Sequence, residues 1–332
     1  MKTVSVVVPT YRRPHTLQET VRALLMMDYP RDSYRVIVVD DAGEAEAADA
    51  VAALGAGERV QMLSQHRLGA ATARNAGARA AEGELLLFCD DDFLVEPSHL
   101  RVHAATHERH PRAVVGSDWW YSPSSLAAFE ATPFGRYRVQ LERGFQAGRA
   151  ASERHLEANC YETPTLGAAD MSIRRDVFWE VGGFDETFPY AGAEDQDLCI
   201  QAKRVGCVLI RNYDLTPQHN DPTVALSQFS LREERGAETV VAFERKYPEA
   251  RGNWSANSPL SRDDPPSVVA RKLAKSVLST PLMLAALHRL ADELERREAD
   301  ERVLRRLYRV ILGLHLFRGY RRALTRADVS QT

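Results

Sequence analysis

The sequence predicts an α/β fold with a mainly parallel central sheet and helices on both of its faces. Three apolar segments, at residues 3–8, 35–41 and 84–92, are separated by stretches with helical spacing. Strands that alternate with helices in this way form parallel sheets that helices cover on both sides. The chain has 332 residues, which leaves room for an appendage beyond one such domain.

The elements of the N-terminal part follow in order. TVSVVV at 3–8 is a β-branched run that a proline ends, which indicates a buried strand, and residues 15–27 have the apolar spacing of a helix. RVIVVDD at 35–41 is a second buried strand. An alanine-rich helix from 68 to 81 then leads into the third strand, ELLLFCDDD at 84–92.

The pattern is weaker in the middle of the chain. Residues 111–165 are irregular and indicate an edge strand and a loop that faces a ligand. Order returns with a GGFDE turn at 182–186, a short helix over about 194–205 and the strand CVLIRN at 207–212. Turn-forming residues at 251–267 predict a linker between a domain at 1–250 and a helical extension at 268–332.

Charge is unevenly distributed. The whole chain carries a net charge of −3, whereas the segment from Val268 to Arg326 has 14 Lys or Arg and only 6 Asp or Glu. This segment also has apolar residues at helical spacing, namely Val303, Leu307, Val310, Ile311, Leu314 and Phe317. We expect packing on the domain or formation of a homo-oligomer ahead of contact with anionic lipid. No nucleic acid is expected, because the segment lacks interleaved aromatic residues.

Bulk properties restrict the compartment. No run of 18 apolar residues exists, so no transmembrane helix is expected, and the strand-like N-terminus does not resemble a signal peptide. The four cysteines have no CxxC spacing, which favours reduced thiols. We therefore expect a cytoplasmic protein, with the inner face of the membrane left open as a location.

Acidic residues follow two of the predicted strands. Asp40 and Asp41 end the second strand, and Asp90, Asp91 and Asp92 end the third. Ligands of such sheets bind beyond the carboxyl ends of the strands, and clustered carboxylates favour hard divalent cations. The sequence thus predicts a site for Mn²⁺ or Mg²⁺ that neutralises a diphosphate.

Six motifs resemble those of family 2 glycosyltransferases, which are inverting enzymes with the GT-A fold. They are VSVVVPTYRR, VIVVDDA, RLGAATARNAGARAAEGELLLFCDDD, GAADMSIRRDVF, GGFDE and GAEDQDL, and they occur in the family's order over about residues 3–220. The resemblance implies a catalytic domain at 1–250, with a nucleotide-sugar-binding half at 1–110 and an acceptor half at 111–250.

The resemblance also assigns residues on the donor side. It implies that the nucleotide pocket is lined by Pro9, Tyr11, Arg13, Asp40 and Asp41, with one of the two acids accepting a hydrogen bond from the base. Arg74 and Asn75 flank the donor. The metal falls mainly to Asp92, with Asp90 and the late His219 assisting. Asp91 occupies a position that is often variable in the family and is assigned to the donor.

The catalytic base follows from the same resemblance. It lies in the Glu194-Asp195 pair, with Asp195 favoured, because inversion needs a carboxylate that deprotonates the acceptor hydroxyl. Asp197 is expected to support the helix start. One departure from the family pattern is Asp170, which stands where asparagine is usual.

Four histidines also have helical spacing, namely His99, His103, His107 and His110. They could bind zinc on one helix face, but their charged neighbours favour a solvated helix. Gly55-Ala56-Gly57 lacks the rest of a dinucleotide-binding fingerprint, so a Rossmann site is not expected.

These expectations combine into one function. The chain is predicted to be an inverting, metal-dependent glycosyltransferase that moves a sugar from a nucleotide-diphosphate donor to a hydroxyl acceptor. A bacterial polysaccharide, a lipid-linked glycan and a small natural product remain open as acceptors. The alternatives are a non-catalytic nucleotide-sugar-binding scaffold and a nucleotidyltransferase.

Overall fold

The structure is a computed structural model that describes residues 2–188, 190–221, 223–249 and 264–329. Within these residues the chain forms two compact units. The first comprises Met1–Ser125, Phe145–Thr187 and Glu194–Asp221, and the second Leu126–Gly144, Phe188–Ala193 and Pro222–Thr332. Most of the linker predicted at 251–267 lies outside the described residues, so the predicted division of the chain there stays a prediction.

A nine-stranded sheet forms the centre of the first unit. Its strands are β1 (Val4–Thr10), β2 (Tyr34–Asp40), β3 (Val60–Ser64), β4 (Leu85–Cys89), β6 (Ala113–Ser117), β8 (Arg154–Glu157), β9 (Cys160–Glu162), β10 (Asp170–Arg174) and β11 (Val208–Asn212). Their order is β3-β2-β1-β4-β10-β6-β11-β9-β8. The first four strands in this order run parallel, whereas β10 is antiparallel to both β4 and β6. The predicted α/β class is therefore confirmed, with a sheet that is parallel on one side and mixed on the other.

Helices cover both faces of this sheet, as predicted. They are α1 (Pro14–Leu25), α2 (Ala45–Ala52), α3 (Ala70–Ala80), α4 (His99–Arg109), α7 (Arg175–Val181) and α8 (Glu194–Arg204). Successive side chains of a strand point to opposite faces. Val7 and Phe88 accordingly pack in a core with α3 and α7, whereas Val6 and Leu87 pack in a second core with α1 and α4.

A second, smaller sheet lies within the same unit. Its three short strands are β5 (Phe93–Leu94), β7 (Trp120–Tyr121) and β12 (Gln218–His219). β12 lies between the other two, antiparallel to β5 and parallel to β7. This sheet places His219 opposite Phe93, one residue after the three aspartates.

The middle of the chain is more regular than predicted. Residues 111–165 contain two helices, α5 (Pro123–Glu130) and α6 (Pro133–Ala151), besides four strands. The expected edge strand is present as β8, which lies at the edge of the nine-stranded sheet, whereas the expected loop is wrong because two helices occupy much of the segment. Glycines at 135, 144 and 148 interrupt the apolar spacing of α6, which hides the helix from pattern analysis.

The second unit is helical in its described residues. Besides parts of α5 and α6 it contains α9 (Leu226–Lys246), α10 (Pro266–Leu278), α11 (Pro281–Arg296) and α12 (Glu301–Val329). Of the apolar stripe predicted on α12, Ile311, Leu314 and Phe317 are buried, whereas Val303 and Val310 are 49% and 47% exposed. The buried face of α12 is therefore rotated about the helix axis relative to the predicted stripe, because it includes polar residues. One of them is His315, whose Nδ1 lies 2.7 Å from a carboxylate oxygen of Glu234 on α9.

Two bulk expectations can be compared with the structure. No helix among the described residues is both long enough and apolar enough to cross a membrane. The four cysteines, Cys89, Cys160, Cys199 and Cys207, are buried free thiols, as their spacing predicted.

Candidate active site

The carboxyl ends of β2, β1 and β4 bring the acidic residues to one edge of the sheet. Thr10 lies opposite Asp40 in the register of β1 and β2, and the amide of Asp41 donates to the carbonyl of Thr10 at 2.9 Å. The hydroxyl of Thr10 donates to Asp91 at 2.6 Å. β4 ends at Cys89, so Asp90, Asp91 and Asp92 follow the strand directly.

Each of the three aspartates has a different environment. Asp90 is about one-third exposed and accepts a 2.8 Å hydrogen bond from Arg74. Asp91 is buried, and its two oxygens accept hydrogen bonds from Thr10 and, at 3.0 Å, from Arg13. Asp92 is also buried and accepts a 2.7 Å hydrogen bond from the same Arg13 nitrogen.

The two buried carboxyls differ in proton affinity. Burial and the neighbouring Asp92 raise the pKa of Asp91 to about 7, although Arg13 and Thr10 oppose this. Burial also acts to raise the pKa of Asp92, but His219 and Arg13 outweigh it and hold that pKa below its usual value. Asp92 is therefore the carboxylate of this buried pair that stays ionised.

His219 lies beside Asp92. Its Nε2 is 3.4 Å from Oδ2 of Asp92, and its Nδ1 is buried with no partner in the described part of the chain. The ring is surrounded by Phe93, Trp119 and Tyr121, with centroid distances of 5.1, 4.8 and 6.0 Å. These aromatic rings fix the imidazole in place.

The residues predicted as metal ligands carry donor atoms of types that suit a divalent cation. Asp90 and Asp92 offer oxygen atoms, His219 offers a nitrogen atom, and these suit Mn²⁺ or Mg²⁺ completed by phosphate oxygens. A cation held by Asp92 would share this carboxylate with Arg13, whose guanidinium lies 2.7 Å from Oδ2. Asp91 fits this role less well, because Thr10 and Arg13 already engage both of its oxygens.

Asp40 and Asp41 are buried and both accept hydrogen bonds from the chain. The oxygens of Asp40 accept from the amides of Ala42 at 2.9 Å and Glu44 at 3.0 Å. Those of Asp41 accept from the amides of Leu68 and Gly69 and from the side chain of Gln65, at 2.7, 3.0 and 2.8 Å. Asp41 thus ties the end of β2 to the start of α3.

An open groove lies at the end of β1. A cavity of about 220 Å³ is lined by Arg13, Asp40 and residues of the start of α2. Next to it, Tyr11 is 37% exposed, and the guanidinium groups of Arg12 and Arg67 lie 5.4 and 6.0 Å from its ring. Both arginines have positive φ angles, +56° and +52°, a strained backbone that often occurs at ligand sites. Pro9 lies within β1, half-buried.

Arg74 and Asn75 have separate roles on α3. Arg74 is buried and donates to both Asp90 and Glu194, each at 2.8 Å. Asn75 exchanges hydrogen bonds with the backbone of Phe184, donating at 2.8 Å and accepting at 3.0 Å. Asn75 therefore holds the GGFDE turn, while Arg74 links the aspartates to α8.

The predicted base lies at the start of α8. Burial and the adjacent Glu194 raise the pKa of Asp195 to about 7, which is near the value that suits a general base at neutral pH. A Cβ atom added to Gly167 would lie 3.7 Å from Oδ2 of Asp195, so this glycine faces the carboxylate. Asp197, expected to support the helix start, is buried in the first turn of α8.

The expectation of a solvated histidine face on α4 is wrong. His99, His103 and His107 are buried, at 0%, 1% and 0% exposure. They face β10, where His99 contacts Asp170 and the other two contact the hydroxyl of Ser172. His110, the fourth histidine, is half-buried. The histidines are polar partners of a strand about 70 residues away, which local charge patterns do not reveal.

Two further residues at the site escaped the sequence analysis. Thr10 anchors Asp91, and Gln65 anchors Asp41. Thr10 had a signal, because it stands at a strand end between Pro9 and Tyr11. Gln65 had none, since its role depends on the pairing of β3 with β2.

Curated relatives of this chain are glycosyltransferases. Validoxylamine A glucosyltransferase from Streptomyces hygroscopicus subsp. jinggangensis is 31% identical over 211 residues, covering 59% of this chain and 50% of the relative. Glucosyl-dolichyl phosphate glucuronosyltransferase from Haloferax volcanii is 29% identical over 221 residues, with 64% of each chain covered. The chain thus spans about half the length of the first relative.

Solved structures show the same fold. The mannosyltransferase PcManGT from Pyrobaculum calidifontis, in complex with GDP-Man and Mn²⁺, has a TM-score of 0.60 at 19% identity, with 96% of this chain and 87% of that chain covered. Residues 1–349 of S. aureus TarS have a TM-score of 0.51 at 16% identity, with 96% and 91% covered. Both similarities support the predicted GT-A architecture.

The family model described as glycosyl transferase family 2 matches residues 5–182, which contain most of β1, all of β4 and the three aspartates. This match covers more than half of the chain, and it agrees with the resemblance seen in the motifs. The chain belongs to glycosyl transferase family 2.

Proposed function

We propose that this protein transfers a sugar from a nucleotide-diphosphate donor to a hydroxyl group of an acceptor, with inversion at the anomeric carbon and with a divalent cation. The observation that carries the proposal is the pair of hydrogen bonds from Arg74. They join Asp90 of the candidate metal site to Glu194, the neighbour of the candidate base. The two groups of acids that such a reaction needs are thereby part of one connected site.

The groove beside Tyr11 suits the nucleotide. Its exposed ring offers a surface on which a base stacks, and the flanking arginines carry positive charge toward the diphosphate. Asp40 or Asp41 accepts a hydrogen bond from the base, as each carboxylate oxygen has more than one acceptor position. Pro9 and Arg13 complete this side of the pocket.

Asp90, Asp92 and His219 would hold the cation. Mn²⁺ or Mg²⁺ at this position supplies positive charge that stabilises the departing diphosphate. Arg13 lies against Asp91 and Asp92 and is therefore placed to add a second positive charge at the same point. Asp91 keeps Arg13 and Thr10 in place.

Asp195 acts as the base. Its carboxylate removes the proton of the acceptor hydroxyl as that oxygen attacks the anomeric carbon and the bond to the diphosphate breaks. The proton moves to Asp195 and the bonding electrons leave with the nucleoside diphosphate. Glu194 is held by Arg74 and keeps the start of α8 fixed, so it positions Asp195.

For the base of the donor nucleotide and for the acceptor we propose only a chemical class. The solved relatives bind different nucleotides: PcManGT was solved with GDP-Man, and TarS with UDP. We keep a glycan, a lipid-linked sugar and a small molecule as acceptor classes. A cytoplasmic location stays a prediction. Contact with a membrane or a second copy through α12 also stays a prediction, supported by the exposed Val303 and Val310.

Product analysis tests the proposal. The full chain is incubated with a panel of nucleotide sugars, Mn²⁺ and acceptors, and the nucleotide products are separated. Release of nucleoside diphosphate with a new glycoside is expected. Pyrophosphate as the product would establish a nucleotidyltransferase instead, and donor binding without turnover on any acceptor would favour a scaffold.

The variant Asp195→Asn sharpens this test. We expect it to bind the donor as the wild type does and to lose transfer by about 10²- to 10⁴-fold, the usual contribution of a general base. Asp176→Asn is the matched control, because Asp176 is an exposed acid in the first turn of another helix, α7, where it pairs with Arg174. This control should retain full transfer.

A further inference from the structure

A buried polar cluster lies between α4 and β10. It consists of His99, His103 and His107 from the helix, with Asp170 and Ser172 from the strand, and all five side chains are at most 3% exposed. The proposed donor chemistry uses none of them. Polar groups this deeply buried are costly unless their hydrogen-bonding atoms are paired.

Three potential ligand atoms converge in this cluster. Nε2 of His99 lies 2.9 Å from Oδ1 of Asp170, and Nε2 of His103 lies 3.5 Å from the same oxygen. The ligand atoms of the three residues all lie within 4.8 Å of one another. Nε2 of His103 and Oδ2 of Asp170 are buried and have no hydrogen-bond partner among the described residues. One ring nitrogen of His103 and one oxygen of Asp170 are therefore without a hydrogen bond next to the Oδ1 atom on which the two imidazoles converge.

The outer sides of both imidazoles have oxygen neighbours. Nδ1 of His103 lies 2.8 Å from the hydroxyl of Ser172, and Nδ1 of His99 lies 3.5 Å from a carboxylate oxygen of Glu96. A hydrogen bond between Nδ1 and an oxygen is the usual second contact of a histidine that binds a metal through Nε2, and His103 has one, whereas Nδ1 of His99 makes no hydrogen bond in the described residues. The spacing of His99 and His103, four residues apart on a helix, is also typical of zinc ligands.

We propose that His99, His103 and Asp170 bind a zinc ion, at a site separate from the cation site of Asp90, Asp92 and His219. Two imidazoles and one carboxylate form a donor set that suits Zn²⁺ better than Mg²⁺ or Mn²⁺. The zinc fastens α4 to β10. This inference does not depend on the proposed transfer reaction.

The geometry needs little adjustment. Zn–N and Zn–O bonds of about 2.0–2.2 Å place tetrahedral ligand atoms about 3.4 Å apart, so side-chain shifts of about 1 Å are sufficient. The fourth ligand is a water molecule. Asp170 and Ser117, together with Arg149 and Arg211, line a cavity of about 130 Å³ that has room for this water molecule. The hydroxyl of Ser117 is buried there without a partner in the described residues.

The position of the site gives it a structural consequence. Asp170 lies opposite Cys89 in the antiparallel pairing of β10 with β4. The carbonyl of the preceding residue, Ala169, accepts a 2.9 Å hydrogen bond from the amide of Asp90. A zinc ion that holds Asp170 thus stiffens the strand against which the three aspartates are placed.

Zinc content tests the proposal. The full chain is produced with zinc in the medium, dialysed against zinc-free buffer and analysed by elemental mass spectrometry. We expect one zinc ion per chain in the wild type and a loss of zinc in Asp170→Asn and His103→Gln. Zinc should persist in Asp92→Asn, which alters only the donor cation site, and in His110→Gln, the matched control on the same helix, whose side chain pairs with Glu157 outside the cluster. A wild type without zinc, or equal zinc in Asp170→Asn, overturns the proposal.

A second measurement uses only the wild type, so it applies even if the substituted chains do not fold. Cobalt(II) is added to the metal-free wild-type chain, and visible absorption is recorded. Strong bands of tetrahedral cobalt are expected, together with a melting temperature that rises by several degrees, since a ligand of the folded state stabilises it. A chain that gives no tetrahedral cobalt spectrum and melts identically with and without chelator has only a His99–Asp170 ion pair at this position, which contradicts the zinc site.

Discussion

The guanidinium of Arg74 donates a 2.8 Å hydrogen bond to the carboxylate of Glu194, a residue 120 positions later in the chain. Its second terminal nitrogen, Nη2, donates a 2.8 Å hydrogen bond to Asp90. Arg74 is 4% exposed and Glu194 is 3% exposed, so the charges of both are shielded from water. One buried cation therefore fixes the start of α8 relative to the acids that follow β4.

Replacing Arg74 should damage both stability and activity. Arg74→Met leaves Asp90 and Glu194 without this cation, and loss of one partner of a buried ion pair costs about 3–5 kcal/mol. We also expect transfer to fall by about 10²-fold, because a displacement of about 1 Å of a catalytic group has that effect. Denaturant unfolding and initial rates measure the two quantities.

Arg79→Met is the control for this prediction. Arg79 lies on the same helix, is exposed and pairs with Glu186 at 2.9 Å. Exposed pairs contribute about 0–1 kcal/mol, so this variant should resemble the wild type in both assays. Equal effects of the two substitutions would show that Arg74 has no special role.

The raised pKa of Asp195 predicts how activity depends on pH. Burial and the neighbouring Glu194 raise this pKa to about 7, and a base must be ionised to act. The rate constant kcat/KM should therefore rise with pH and reach half of its plateau near pH 7. A profile that is flat between pH 5 and pH 9 would be inconsistent with Asp195 as the base.

The same shift predicts the pH dependence of stability. The folded-state pKa of Asp195 lies above the unfolded value of about 3.9, so the protonated form is favoured by folding. Its contribution to stability is complete below about pH 4 and is lost as the pH rises through about 7. Asp195→Asn should then melt above the wild type at pH 8, with a difference that disappears in acid. Asp176→Asn should give no such gain at pH 8.

Packing within the second unit depends on Gly319 of α12. A Cβ atom there would lie 1.9 Å from the backbone oxygen of Glu234 on α9, a contact that requires the helices to separate. Glycine to alanine in a helix normally stabilises by about 1 kcal/mol. Gly319→Ala should instead lower the melting temperature of the chain.

Gly313 supplies the internal comparison on the same helix. Nothing lies within 4 Å of a Cβ atom at this position. Gly313→Ala should therefore leave the melting temperature unchanged or raise it. The gain in helix propensity is up to about 1 kcal/mol in the free energy of unfolding. If both variants stabilise the chain equally, α12 does not pack on α9 as the structure has it.

The strands next to the donor site were predictable from sequence because their signals are local. β1, β2 and β4 are mainly apolar runs followed by a proline or by acids, and their observed bounds differ from the predicted ones by only a few residues. The α/β class and the common edge of the acids follow from these runs. Family motifs added residue roles, which remain predictions.

Other features depend on contacts that are distant in sequence. Arg74 was expected to flank the donor, but its link to Glu194 requires α3 and α8 to meet. The histidines of α4 were expected on a solvated face because Arg101 and Arg109 lie among them. In the structure they are buried, and His99 contacts Asp170, the residue that departs from the family pattern. Two unusual features of the sequence thus explain each other once the fold is known.

A thermal-shift measurement tests the central claim most directly. The wild type, Asp92→Asn and Asp91→Asn are melted with a panel of nucleoside diphosphates, with and without Mn²⁺. Because a ligand of the folded state raises the melting temperature, at least one nucleotide should stabilise the wild type more in the presence of Mn²⁺. This metal-dependent gain should vanish in Asp92→Asn and persist in Asp91→Asn, whose oxygens face Thr10 and Arg13. The absence of a metal-dependent shift with every nucleotide would contradict the account.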